Sequence, residues 1–140
     1  MGIKQEQENI IEELELFDDW MAKYEHIISL GKDLPLIDES LKTDDNLIKG
    51  CQSRVWLAAD HNDGVINYTA DSDAIITKGI IAILIRSLSG NTPQDILDAD
   101  LSFIDRIGLK EHLSPTRANG LVSMLKQMRL YALAYQTKNN

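Results

Sequence analysis

Between Ala74 and Leu88 the chain is apolar on almost every side: Ile75, Ile76, Ile80, Ile81, Ile83, Leu84, Ile85 and Leu88 leave no broad polar face to meet water. A helix that is hydrophobic all round is stable only when other elements surround it. The run is too short for the roughly 20 apolar residues of a bilayer span, so it predicts a central helix in a packed core. Ser72 and Asp73 stand before it as capping residues and Gly90 behind it as a stop. A chain of 140 residues can bury about two thirds of its unfolded surface around such an axis. One domain spanning 1–140 is expected.

The flanking sequence predicts what covers this helix. From Ile10, the positions Leu14, Phe17, Met21, Tyr24 and Ile28 recur at helical spacing. Asp18 and Asp19, ahead of Trp20, offer an N-cap that divides the stretch into two helices with a break near Phe17. Gly31 reads as a left-handed C-terminal stop, and residues 32–46, with Pro35, as a loop crossing the surface. Arg54–Asp60 and Val65–Asp71 are β-prone runs around the turn His61-Asn62-Asp63-Gly64. In the second run Ile66, Tyr68 and Ala70 share the face expected to pack on helices. Leu47-Ile48 suggests a short third strand. Thr92-Pro93 starts a short helix through Leu97, and another runs from Leu101 to Ile107 before Gly108. Ser114-Pro115 starts a last helix that carries Leu121, Leu125, Met128 and Tyr135 inward and frays from Thr137.

Charge narrows the function. The formal net charge is −8, and residues 1–45 hold 13 acids against 4 bases while the remainder holds 9 against 10. Nucleic-acid binding draws on clustered Lys and Arg, so no nucleic-acid partner is expected. The acidic N-terminal segment reads as a solvated helix face or as a surface that steers toward a basic protein. With no bilayer-length apolar run and no signal-peptide pattern after Met1, neither membrane insertion nor export is expected. The single cysteine, Cys51, forms no internal disulfide and favours a reducing, cytoplasmic compartment.

Cys51 is the one strong nucleophile, in Gly50-Cys51-Gln52-Ser53-Arg54-Val55-Trp56. It reads either as a small buried hydrophobe or as a reactive thiol in a loop, where Lys49 and Arg54 on either side would lower its pKa. His26, His61 and His112 are scattered, without metal-ligand spacing, so no metal site is expected. No serine-hydrolase elbow, phosphate loop or dinucleotide fingerprint is present. A cysteine enzyme would need one of the histidines to fold beside Cys51. Without such a base, the thiol suits sulfur exchange better than acyl transfer, because a thiolate attacks a persulfide sulfur without an oxyanion hole.

Three blocks, Asn46-Leu47-Ile48-Lys49-Gly50-Cys51-Gln52-Ser53-Arg54-Val55-Trp56, Asp71-Ser72-Asp73-Ala74-Ile75-Ile76-Thr77-Lys78-Gly79 and His112-Leu113-Ser114-Pro115-Thr116-Arg117-Ala118-Asn119-Gly120-Leu121, together resemble the SufE sulfur-acceptor family. The resemblance implies an α+β fold, SufE/IscU-like, with a small antiparallel β-sheet packed against several α-helices. It implies a SufS-like or CsdA-like cysteine desulfurase as partner, with PLP on that partner and no cofactor here. Cys51 would take the persulfide sulfur, stimulate the desulfurase and deliver sulfur to an iron–sulfur scaffold complex of the SufBCD type. Gly50 would let the loop fold back and swing out, and Gln52 and Ser53 would hydrogen-bond the loop or touch the partner. Arg117 would meet the loop, the partner or Asp73, and Asp73 itself would cap the central helix or join the partner-binding set. The alternative is a non-catalytic adaptor that activates a desulfurase by binding alone.

Overall fold

The computed structural model describes residues 2–51 and 53–138. The apolar run forms α3 (Ile75–Leu88), the axis of the fold, with Ile80, Ile81, Ile83, Leu84 and Leu88 sealed from water. Ile75, on its first turn, is exposed. Two N-terminal helices, α1 (Ile3–Glu15) and α2 (Trp20–Leu30), pack across one side of it. The break between them falls where the acidic pair predicts it: the Asp19 carboxylate accepts from Ala22 N–H at 2.8 Å, and the Phe17 ring packs on His26 at 4.8 Å. The break also resets the helical phase, so Met21 is exposed while Ile27 fills the core.

Gly31 has φ −63°, ordinary right-handed geometry in a short 3-10 turn, and is not the left-handed stop that its sequence context suggests. Its reason for being glycine is proximity. A Cβ there would lie 3.0 Å from the backbone nitrogen of Gly79, and a Cβ on Gly79 would lie 2.1 Å from the Ile27 carbonyl oxygen. The pair lets α2 and α3 meet backbone to backbone. Charge ties the same side together: Arg86 of α3 donates to Glu6 and to Glu13 of α1, each at 2.6 Å, and Glu13 also meets His26 of α2 at 2.6 Å. Part of the acidity that reads as a solvated face is therefore engaged with the central helix.

The sheet is an antiparallel hairpin of β1 (Val55–Asn62) and β2 (Val65–Ser72). Asp63 and Gly64, at φ 53° and 81°, form its two-residue loop, a pairing of positive φ values that matches the strand twist. His61 and Asn62, expected in the turn, extend the ladder opposite Ile66 and Val65. Ile66, Tyr68 and Ala70 form the buried face, as their alternation predicts. Residues 32–46 do more than cross the surface: Leu34 and Ile37 are buried, Ile37 N–H donates to the Ala70 carbonyl and Ala70 N–H donates to that of Pro35. The expected strand at Leu47-Ile48 shrinks to one bridge, with Ile48 N–H donating to the Val55 carbonyl at 2.8 Å.

Thr92 caps α4 (Pro93–Asp98), and α5 (Phe103–Arg106) follows. A further short helix, α6 (Leu109–His112), begins after left-handed Gly108 and had no signal of its own in the sequence. The last helix, α7 (Pro115–Lys138), runs past the expected fraying point at Thr137; Asn139 and Asn140 lie outside the described residues. Leu121, Met124, Met128 and Ala132 are its buried positions, whereas Leu125 and Tyr135, expected inward, are half-buried. The Tyr68 hydroxyl donates to the Met128 carbonyl at 2.7 Å and locks sheet to helix. The architecture is α+β, and α7 and the start of α3 converge beside the segment that leads into β1.

Candidate functional site

That segment is shaped by Gly50. Its φ of +89° is a conformation L side chains rarely adopt, and a Cβ there would come within 2.9 Å of Ser123 Oγ on α7. The turn folds the chain back on α7 and brings Cys51 down on Gly120, whose buried position has no side chain to intervene. A Cβ on Gly120 would sit 3.4 Å from Cys51 Sγ. The thiol is half-buried, with S–H directed at the Gly120 carbonyl over 3.8 Å.

Beside the sulfur lies a narrow pocket with Ile80 and Met124 as apolar walls and Ser53, Thr77 and Arg117 as polar ones. The space that the centre of a water-sized sphere can reach is about 10 Å³, room for about one such atom. Ser53 Oγ and Thr77 Oγ1 are 3.3 Å apart, longer than a good hydroxyl–hydroxyl bond. Thr77, like Ser87, is a buried polar residue on the mostly apolar α3. Arg117 Nε is buried and has no hydrogen-bond partner, and among the described residues Arg117 forms no ion pair. A larger groove between α1 and the α4–α5 region shares no residue with this pocket.

Several expectations change here. Lys49 and Arg54 are both exposed, and burial pushes the Cys51 thiol up instead of flanking charge pulling it down. Desolvation of the thiolate outweighs cations that remain in water. Asp73 does not cap α3; its carboxylate accepts from Arg54 N–H at 3.0 Å and pins the start of β1, while Ser72 Oγ accepts from Ala74 N–H. The suggested Arg117–Asp73 pair does not form, and Arg117 instead lines the thiol's pocket. Gln52 lies outside the described residues. No histidine joins the site: His26 is bound to Glu13, His61 packs by Tyr135 and His112 stacks on Trp20 at 4.2 Å. The geometry offers a sheltered thiol with donors around it and no base.

Sequence reasoning missed Thr77, Gly120 and Ser123 as builders of the site. Two carried a readable signal, a polar residue inside an apolar helix and a glycine in the interior of another; Ser123 carried none.

Residues 8–132 match the SufE family model, described as an Fe-S metabolism associated domain. An uncharacterized SufE-like protein of Synechocystis sp. is 39% identical over 127 residues, covering 91% of this chain and 80% of its own length. Another, from Rhizobium meliloti, is 38% identical over 87% of this chain and 91% of its own. A SufE-like protein of Arabidopsis thaliana, named chloroplastic/mitochondrial, is 43% identical over 84% of this chain, which spans 32% of that longer protein. The solution structure of a hypothetical protein from Thermus thermophilus shares the fold, with TM-score 0.78 over 94% of this chain and 96% of its own at 18% identity. Among the described residues, no helix is long and apolar enough to cross a membrane.

Proposed function

The chain belongs to the SufE family of Fe-S metabolism, and from that membership and the sheltered thiol we propose that Cys51 accepts and carries sulfur between proteins. The donor is the active-site persulfide of a PLP-dependent cysteine desulfurase of the SufS or CsdA kind. The Cys51 thiolate attacks the outer sulfur, the donor's S–S bond breaks, and the donor leaves as a thiolate while Cys51 gains a terminal S–H. The receiver is an iron–sulfur scaffold complex of the SufBCD type, whose own nucleophile takes that sulfur in the same way. PLP belongs to the partner, and this chain contributes only the relay thiol and its surroundings.

The observation that carries this reading is the half-buried Sγ beside a space of about 10 Å³. Free thiols exposed to solvent oxidise, and so do persulfides; a carrier needs its sulfur shielded until a partner draws it out. That none of the three histidines lines the pocket, each being in contact with another residue, supports transfer that depends on a partner over a stand-alone cysteine enzyme. Partner docking would involve Gly50, Gln52, Ser53, Asp73 and Arg117, the positions that the family resemblance assigns to it.

Incubation with a cognate desulfurase and cysteine should add about 32 Da, one sulfur, to Cys51 in mass spectra taken without reductant. Cys51→Ser should take up no sulfur and give no stimulation of the desulfurase. Full stimulation by Cys51→Ser would instead establish the adaptor alternative, in which binding alone activates the partner.

A further inference from the structure

We infer that Arg117, Thr77 and Ser53 form a binding site for the outer sulfur of a persulfide on Cys51, sized for one sulfur atom. The inference rests on the carrier reading above and adds to it the groups that hold the cargo. Three separate elements supply them: the segment before β1 gives Ser53, the first turns of α3 give Thr77 and the first turn of α7 gives Arg117.

In the unloaded protein these groups are poorly satisfied. A buried N–H without an acceptor is uncommon, because leaving it unpaired forfeits the hydrogen bond that water would supply. Arg117 Nε is in that condition, while among the described residues the Ser53 and Thr77 hydroxyls meet each other at a long 3.3 Å. The wall shared by these groups is the wall of the Cys51 pocket, so an acceptor attached to Sγ would enter the space they line. A terminal persulfide sulfur is such an acceptor, more acidic than a thiol and therefore more often anionic. The guanidinium is always charged and offers a donor from its Nε edge. Ile80 and Met124 exclude water and strengthen these interactions. Room for about one atom would leave a second added sulfur outside the pocket.

The test loads Cys51 without any desulfurase, so that its outcome is separate from the carrier reading. Inorganic polysulfide supplies the sulfur: the thiolate attacks a terminal sulfur of the chain, the S–S bond to its neighbour breaks, and a polysulfide anion one sulfur shorter leaves. Cyanide is then the probe. It attacks the outer sulfur, releases thiocyanate and returns Cys51 as thiolate, and thiocyanate is read by its iron complex. Wild-type protein should hold about 32 Da and lose it slowly. Arg117→Gln should release thiocyanate about tenfold faster, as expected for loss of a charge-assisted bond, and Thr77→Val about threefold faster. Arg117→Lys, keeping charge without the fork, should fall between wild type and Arg117→Gln. The persulfide anion's near-ultraviolet absorbance, titrated against pH, should move to higher pH in Arg117→Gln, a change that looser packing alone would not produce. Melting by circular dichroism checks that each variant is folded. Wild-type release as fast as in urea, a wild-type protein that keeps no added sulfur, or folded variants as slow as wild type would each overturn the site. Conversely, a normal cyanide pattern with no uptake from any desulfurase would leave the site standing and sink the carrier reading.

Discussion

Two arginines divide the molecule. Arg86, near the end of the central helix, is held by Glu6 and Glu13 at 2.6 Å each, and Glu13 reaches on to His26 at 2.6 Å. Arg117, beside the thiol, has its Nε buried and unpaired, in a chain whose formal net charge is −8. An acidic protein that leaves a cation unpaired next to its one cysteine has not run short of carboxylates. The paired side is finished by folding, with backbone contact at Gly79 and a closed ion network. On the proposal above, the unpaired side is completed when sulfur is loaded on Cys51. Substitutions on the first should therefore cost stability, and those on the second should cost chemistry.

The largest break is expected at Gly79→Ala. Its Cβ would lie 2.1 Å from the Ile27 carbonyl oxygen, backbone that cannot rotate aside, so α2 and α3 must move apart. Overpacking of this severity costs about 3 kcal/mol, and thermal melting should fall by about 10 °C. Cys51 in whatever fraction stays folded should still accept sulfur. A melting temperature within a degree of wild type would show that the helices are not so closely seated.

Glu13→Gln tests the ion network with a smaller effect. Burial alone would raise the Glu13 carboxyl, but hydrogen bonds from Arg86 and His26 and their charge outweigh it and hold it below its ordinary value. A carboxylate lowered in the folded state contributes stability above its unfolded pKa and loses it as pH falls through the folded value. Because the side chains are partly exposed, the contribution at neutral pH is about 1 kcal/mol. Denaturant titrations should show wild type approaching Glu13→Gln as pH drops below the usual carboxylate range. A constant gap down to low pH would mean that Glu13 acts through packing.

Those two sides differed in legibility as well. The hairpin, the cap at Asp19 and the apolar axis were readable because each is decided by neighbours in sequence: turn residues with positive φ, an acid ahead of a helix, a run with no polar face. Gly31 was misread because a left-handed stop and a close helix contact both ask for glycine, and only the position of Gly79 separates them. Cys51 and the motifs around it were visible, but the sign of the thiol's shift was not, since Lys49 and Arg54 flank it closely in sequence yet face water. The meeting of Ser53, Thr77 and Arg117 depends on how three elements pack, which no local pattern records.

Gly120→Ala sets stability and chemistry in opposite directions. Alanine in a helix interior is favoured over glycine by up to about 1 kcal/mol, and the new Cβ would meet Sγ at 3.4 Å, an ordinary contact. The variant should melt at the same temperature as wild type or up to about 3 °C higher. The methyl group adds to the wall of a space of about 10 Å³ and narrows it, so added sulfur should be lost faster to cyanide. A variant that is more stable and retains sulfur as well as wild type would separate the pocket's size from its purpose.

The smallest effect is on the resting thiol. Burial raises the Cys51 pKa, so folding favours the protonated form, and this stabilisation is complete below the ordinary thiol pKa. It declines as pH rises from there through the raised folded value, because the unfolded chain ionises first. Cys51→Ala should therefore flatten a shallow alkaline decline in stability. Alkylation by iodoacetamide gives the same information in a rate: slow at neutral pH, with a midpoint above that of the unfolded chain. Arg117, for all its charge, should leave that midpoint high, since desolvation dominates the shift. Fast alkylation of the folded protein at pH 7 would place the sulfur in water, and the contrast between a finished side and a waiting one would fail at its centre.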